Sequence, residues 1–127
     1  MQAYDLVDTL VKIDYSVHNT AQMVANIKNA KVIHRPTGNF VIITAQPDIP
    51  AVHSAVSAMV NENFPNCQRI HFVSGSEAQV AQKKASIIKR SGISDFTDNN
   101  RAILAKIKEL VPNVKLWVMT SHGKEKY

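Results

Sequence analysis

Asn39-Phe40-Val41-Ile42-Ile43-Thr44-Ala45 is an apolar run of strand length, preceded by the turn signal Arg35-Pro36-Thr37-Gly38. A strand with one wet face alternates apolar and polar residues. One without alternation is covered on both faces, which is the signature of a parallel sheet flanked by helices. The same type of segment recurs along the chain. Upstream, Ala3-Tyr4 lead into Asp5, with Asp8, Thr9 and Leu10 behind. Downstream, Arg69 to Val73, Asp95 to Asp98 and Val114 to Met119 have strand length and end at polar or turn residues.

Helical patterns fill the intervals. Asn19 or Thr20 can cap a helix to about Asn29. Asp48 or Pro50 opens one to about Asn63, with proline where its missing N–H is harmless. Ser76 and Gln79 form a capping-box pattern for a helix from Glu77 to Arg90, and Gly92 suits its C-terminal stop. Asn99 or Asn100 caps a fourth, along which Ile103, Leu104, Ile107 and Leu110 recur at helical spacing. Residues 11–19 read as a loop or flap, Val32-Ile33 as a short extended piece, and residues 121–127 as a polar, frayed tail. Strand and helix alternate, so right-handed crossovers predict an α/β fold. It is a three-layer, Rossmann-like open parallel sheet of about five strands with helices on both faces. Ligands of such sheets sit at the carboxyl ends of the strands, near the reversal of strand order.

Residues 1–127 have the length of a single domain. No apolar run approaches the ~18 residues of a spanning helix and no signal peptide is visible, which predicts a cytoplasmic protein without a membrane partner. The lone Cys67 excludes an internal disulfide framework and a cysteine zinc cluster. The five histidines show no i,i+3 or i,i+4 pairing, which argues against zinc. The net charge of +5 lies wholly in residues 76–127, since residues 1–75 balance. An anionic partner is favoured, with most of the lysines forming a solvated helical face. Lys83-Lys84 and Lys89-Arg90 lack interleaved aromatics, so nucleic acid is the less favoured partner.

Reactive groups gather at the strand ends: Asp5 after the first, Thr44 on the second and Asp98 on the fourth, with Lys84 on the helix feeding the fourth. In this order the chain resembles the haloacid-dehalogenase-like phosphohydrolase superfamily. Tyr4-Asp5-Leu6-Val7-Asp8-Thr9-Leu10 is similar to its first motif, an apolar strand ending Asp-x-Asp-x-Thr-Leu. Val41-Ile42-Ile43-Thr44-Ala45 is similar to its second, Lys84 to its lysine motif, and Asp95-Phe96-Thr97-Asp98-Asn99 to its acidic fourth. The resemblance spans Tyr4 to Met119 and leaves little room for a cap domain.

The resemblance implies a Mg²⁺-dependent phosphomonoester phosphatase. Asp5 would be the nucleophile that forms an aspartyl-phosphate. Thr44 would bond a phosphoryl oxygen and Lys84 would neutralise charge. Asp5, the Val7 carbonyl and Asp98 would hold the metal, and the partner would be a phosphorylated small molecule or nucleotide. Asp8, Ala45, Gln46 and Asn99 are secondary candidates. Three positions depart from the pattern. Val7 stands where the family has its acid/base Asp, a loss worth ~10²–10⁴ in rate. Asn99 replaces a second acid, and Gln46 replaces an Arg found in some relatives. Asp8 adjoins Val7 but would point to the opposite strand face unless the turn begins early. Turnover is therefore expected to be impaired. The alternative is a catalytically inactive binding or regulatory protein of this fold, with a nucleotide or nucleic acid as its ligand.

Overall fold

The computed structural model describes residues 1–127. Its strands are β1 (Gln2–Tyr4), β2 (Val11–Lys12), β3 (Lys31–Val32), β4 (Phe40–Ala45), β5 (Cys67–Val73), β6 (Asp95–Asp98), β7 (Lys115–Thr120) and β8 (Gly123–Lys126). Its helices are α1 (Thr20–Lys28), α2 (Pro50–Asn63), α3 (Glu77–Arg90) and α4 (Arg101–Leu110). The main sheet has six strands in the order β5-β4-β1-β6-β7-β8, parallel except for β8, and β2 and β3 form a small antiparallel pair. The fold is an open α/β sheet with four helices in a Rossmann-like arrangement.

The run that suggested a parallel sheet is buried on both sides. Val41 and Ile43 enter a core beneath α3 and α4, whereas Phe40 and Ile42 enter one beneath α1 and α2. Each such aliphatic residue contributes roughly 1.5–3 kcal/mol on burial, so β4 is strongly fixed in register. Edge-on contacts of Phe40 with Tyr4 and Phe64, at ring separations of 5.6 and 6.2 Å, lock the end of α2 against the central strands.

The helix boundaries follow local chemistry. Asn19 Oδ1 accepts from Gln22 N–H, Ser76 and Gln79 make the reciprocal capping box, and Asn100 Oδ1 accepts from Ala102 and Ile103. Asn100, not Asn99, caps α4, which leaves Asn99 free to turn toward the sheet edge. Gly92, at φ +62°, ends α3 as Ile93 N–H bonds back to Ile88.

Two expectations need correction. Residues 121–127 are not a frayed tail: a turn at Ser121-His122 folds β8 back on β7, with Thr120 paired to Gly123 and Trp117 to Lys126. A hairpin satisfies its backbone bonds through a neighbouring strand and needs little apolar content, so its polar sequence was misleading. Residues 11–19 are not wholly loop, since Val11-Lys12 pair with Lys31-Val32. No helix is long and apolar enough to cross a membrane.

The topology positions the site. From β1 the chain steps outward through β4 to β5, then returns to lay β6 on the other side of β1. Strand order therefore reverses between β1 and β6, whose carboxyl ends carry Asp5 and Asp98. Tyr4 is in register with Thr97 and with Ile42, and Asp5 N–H continues the ladder to the Thr97 carbonyl at 2.8 Å.

Candidate functional site

Lys84 joins the two acids. Its Nζ lies 3.0 Å from Asp5 Oδ1 and 2.8 Å from Asp98 Oδ2, and all three side chains are buried. On α3 it occupies the middle of a core-facing stripe formed by Val80, Ala81, Ala85, Ile87 and Ile88. Its aliphatic stem thus packs as a core residue, and its ammonium reaches the strand ends 5.6 Å from the centre of the Phe96 ring. Lys83, one position earlier, points out and bonds the Ser74 carbonyl at 2.6 Å. Helical geometry separates these adjacent lysines.

Asp98 is held further by Asn100 N–H at 3.0 Å, an Asx-type turn that fixes the end of β6. Asp5 Oδ2 accepts from the buried Thr9 hydroxyl at 3.1 Å. Thr9 arrives there because Leu6 to Leu10 form a tight turn through the left-handed Asp8, with Thr9, Leu10 and Val11 N–H groups converging on the Leu6 carbonyl at 3.2, 2.8 and 3.1 Å. Thr9 carries no assigned role in the sequence reading.

The turn does begin early, yet Asp8 does not turn in beside Asp5. It adopts φ +63°, is exposed, and pairs with Lys12 at 2.9 Å, away from Asp5. The Val7 side chain packs against the core beneath α1 and α2, while no hydrogen bond from the chain reaches its carbonyl.

Burial first, and then the charge of Asp98, push the Asp5 carboxyl up to about 7, against the opposing pull of Lys84 and Thr9. Burial alone would depress the Lys84 ammonium, but Asp5 and Asp98 outweigh it and raise its pKa. One buried cation therefore serves two buried carboxylates, a deficit of positive charge at the reversal of strand order.

The deficit is what a divalent cation would fill, and the oxygen donors suit Mg²⁺. Asn99 faces the pair with its amide nitrogen inward, donating to Asp98 Oδ1 at 3.2 Å and Asp5 Oδ2 at 3.1 Å; oxygen inward it would meet only acceptors, an orientation that a bound cation would be needed to favour. Mg²⁺–oxygen bonds of about 2.0–2.1 Å put adjacent ligands about 3 Å apart in an octahedron. A cation there would have the two carboxylates and the Asn99 amide oxygen as ligands from this group, with water at its remaining positions. No group of three or more His, Cys, Asp or Glu side chains converges to hold a metal ion, so a cation here would depend on two carboxylates and on neutral oxygen donors.

Thr44 is buried at the end of β4 and makes its side-chain hydrogen bond to Gln46, not to the acidic group. Its Oγ1 accepts from Gln46 Nε2 at 2.9 Å, and Gln46 Oε1 accepts from the Tyr15 hydroxyl at 2.5 Å. Burial pushes the Tyr15 phenol up to about 12, so it remains a donor. Because Thr44 accepts from Gln46, its own proton is free to donate elsewhere. Nothing in the sequence linked Tyr15 to this strand end. Ala45 is exposed and lines a cleft of about 480 Å³ with Tyr15, His18, Gln46 and Ser74. A second cleft, of about 500 Å³, lies on the other side of the acids and is bounded by Asp8, Lys12, His34, Asn99, Met119 and Ser121.

Searches against protein-family models, curated proteins and solved structures find no match to this chain.

Proposed function

We propose that the carboxyl edge of the sheet is a Mg²⁺-dependent phosphoryl-transfer site acting on phosphomonoesters, with slow hydrolytic turnover. The observation that carries this reading is the bridging of Asp5 and Asp98 by the buried Lys84, at 3.0 and 2.8 Å, where strand order reverses. Phosphoryl transfer asks chiefly for positioning and charge stabilisation, and such a group supplies both.

Asp5 is the nucleophile in this reading. Its carboxylate attacks phosphorus, the bond to the ester oxygen breaks, and an aspartyl-phosphate forms with the alcohol or phenol leaving. Asp5, Asp98, the Val7 carbonyl and the Asn99 amide oxygen would hold Mg²⁺. That ion, when bound, would offset the charge of the carboxylates and of the phosphoryl oxygens. Lys84 holds Asp5 in place and keeps a positive charge beside it. Thr44, with its hydroxyl proton free, donates to a phosphoryl oxygen.

Proton transfer is the deficient step. Val7 has no proton to give a leaving alkoxide or to take from water, and Asp8 is engaged by Lys12. Esters whose leaving groups depart as stable phenolates should therefore react much faster than alkyl phosphates. The test is steady-state hydrolysis of an aryl phosphate with Mg²⁺, comparing the native chain with Asp5→Asn. The reading requires activity in the first that is abolished in the second. Equal rates in both would refute it.

A further inference from the structure

The six-stranded sheet is covered unevenly. On one face α3 and α4 lie over Ala3, Val41, Ile43, Phe96, Leu116 and Val118. On the other, α1 and α2 cover Tyr4, Phe40 and Ile42, and no residue of β6, β7 or β8 belongs to that core. Strand alternation and register identify what the open part of this face displays. β7 contributes Lys115 and Trp117, with Met119 on the same side but buried at the carboxyl end. The pairing of Met119 with Lys124 and of Trp117 with Lys126 adds both β8 lysines, and the pairing of Lys115 with Asp95 adds one acid. Lys115 and Lys126 are exposed, and Trp117 is half-buried. Lys124 Nζ lies 5.0 Å from the Trp117 ring centre and bonds the Tyr4 hydroxyl at 2.9 Å. Asp95 is tied to the indole N–H at 3.2 Å.

We infer that this open face of β6, β7 and β8 binds single-stranded nucleic acid, delivering a phosphorylated strand end to the site at the carboxyl edge. The second clause rests on the proposed phosphoryl-transfer reading; the binding surface does not. Three lysines against one engaged carboxylate leave the face cationic. Lys124 and Lys126, two residues apart on the same side, stand about 6.7 Å apart along the strand. That is close to the phosphate repeat of an extended single strand. Trp117 supplies an indole among these charges, the combination by which sheet surfaces bind single strands with little sequence preference. Charge also explains why this face lacks a helix: covering it would desolvate the three ammonium groups.

The face is continuous with the site. Met119, beside Trp117 on β7, lines the cleft of about 500 Å³ that also contains Lys12, His34 and Asn99. Asn99 is the residue that faces Asp5 and Asp98. A strand lying along β7 toward its carboxyl end therefore runs into that cleft, with Lys12 and His34 beside its path.

The experiment uses the full chain, fluorescein-labelled oligothymidylate with and without a terminal phosphate, and fluorescence anisotropy over a salt series. Three lysine–phosphate contacts predict a slope of log K against log salt of about −2 for a single strand. Lys115→Glu/Lys126→Glu, two exposed positions outside the catalytic group, should weaken binding by about tenfold or more at low salt. The same double variant should raise KM for a terminally phosphorylated oligonucleotide and leave aryl phosphate hydrolysis unchanged. Absence of binding, an unchanged affinity in the double variant, or equal competition by polyglutamate would overturn the assignment. If oligonucleotide binds as described but no phosphate ester is hydrolysed, the surface stands and the phosphoryl-transfer reading falls.

Discussion

Lys84 places its ammonium 3.0 Å from the Asp5 carboxylate across a sequence separation of 79 residues, with solvent excluded from both. The same ammonium holds Asp98, so removing it leaves two buried carboxylates facing each other. Truncating one partner of a buried ion pair costs about 3–5 kcal/mol, because the survivors remain desolvated and uncompensated. Lys84→Met should therefore lower stability by about that amount in urea unfolding at neutral pH, despite a good volume match. A change under about 1 kcal/mol would mean that the acids are not dependent on this lysine.

The charge deficit also fixes a pH dependence. The Asp5 carboxyl is raised from its ordinary value of 3.8 to about 7 by burial and by Asp98. A group raised in the folded state stabilises the fold most when protonated in both states. That contribution is complete below pH 3.8 and is lost as pH rises through about 7. In the presence of a chelator, unfolding free energy should decline across this window, and Asp5→Asn should flatten the decline. Adding Mg²⁺ should recover stability at the upper end more than at the lower. An Asp5→Asn profile parallel to the native one would contradict the assignment.

Tyr15, Gln46 and Thr44 form a hydrogen-bonded chain from the loop after β2 to the end of β4. Without the Tyr15 hydroxyl, the Gln46 amide loses the bond that orients its N–H toward Thr44. Tyr15→Phe should then raise KM for an aryl phosphate roughly fivefold, the equivalent of one neutral hydrogen bond of about 1 kcal/mol. Thermal stability should change little. An unchanged KM would show that Thr44 is oriented by other means.

Val7 and Asp8 separate two explanations of weak turnover. Val7→Asp replaces a side chain packed on the core beneath α1 and α2; its carboxyl, turned out of that core toward Asp5, should raise kcat for alkyl phosphates by up to about 10²–10⁴-fold. Asp8→Asn should leave kcat unaltered, because Asp8 faces Lys12 and solvent. A large loss in Asp8→Asn would instead identify Asp8 as a working acid/base that moves inward during the reaction.

Much of this arrangement was readable in the sequence because it depends on local rules. The unbroken run of β4 and the capping box of α3 each state their geometry within a few residues, and the cap of α4 was narrowed to Asn99 or Asn100. Lys84 was singled out only through the resemblance to a lysine motif, while its place inside an apolar helical stripe, the physical signal, went unread. The hairpin of β8 was not, because its stability comes from pairing with β7 and its residues read as a solvated tail. The Tyr15 link was hidden for the same reason: it joins a loop to a strand across 31 residues with no periodic pattern. The open lysine face was equally obscure, since Trp117 and Lys126 meet only through strand register.

The most direct test of the central claim is to look for the phosphoryl group on Asp5. The protein is incubated with Mg²⁺ and an aryl phosphate, quenched in acid and mapped by peptide mass spectrometry. With Val7 unable to activate water, the aspartyl-phosphate should accumulate on the peptide containing Asp5. It should be absent in Asp5→Asn and reduced at steady state in Val7→Asp. Failure to find a phosphoryl group on Asp5 in the native chain, or an equal label in Asp5→Asn, would contradict the account.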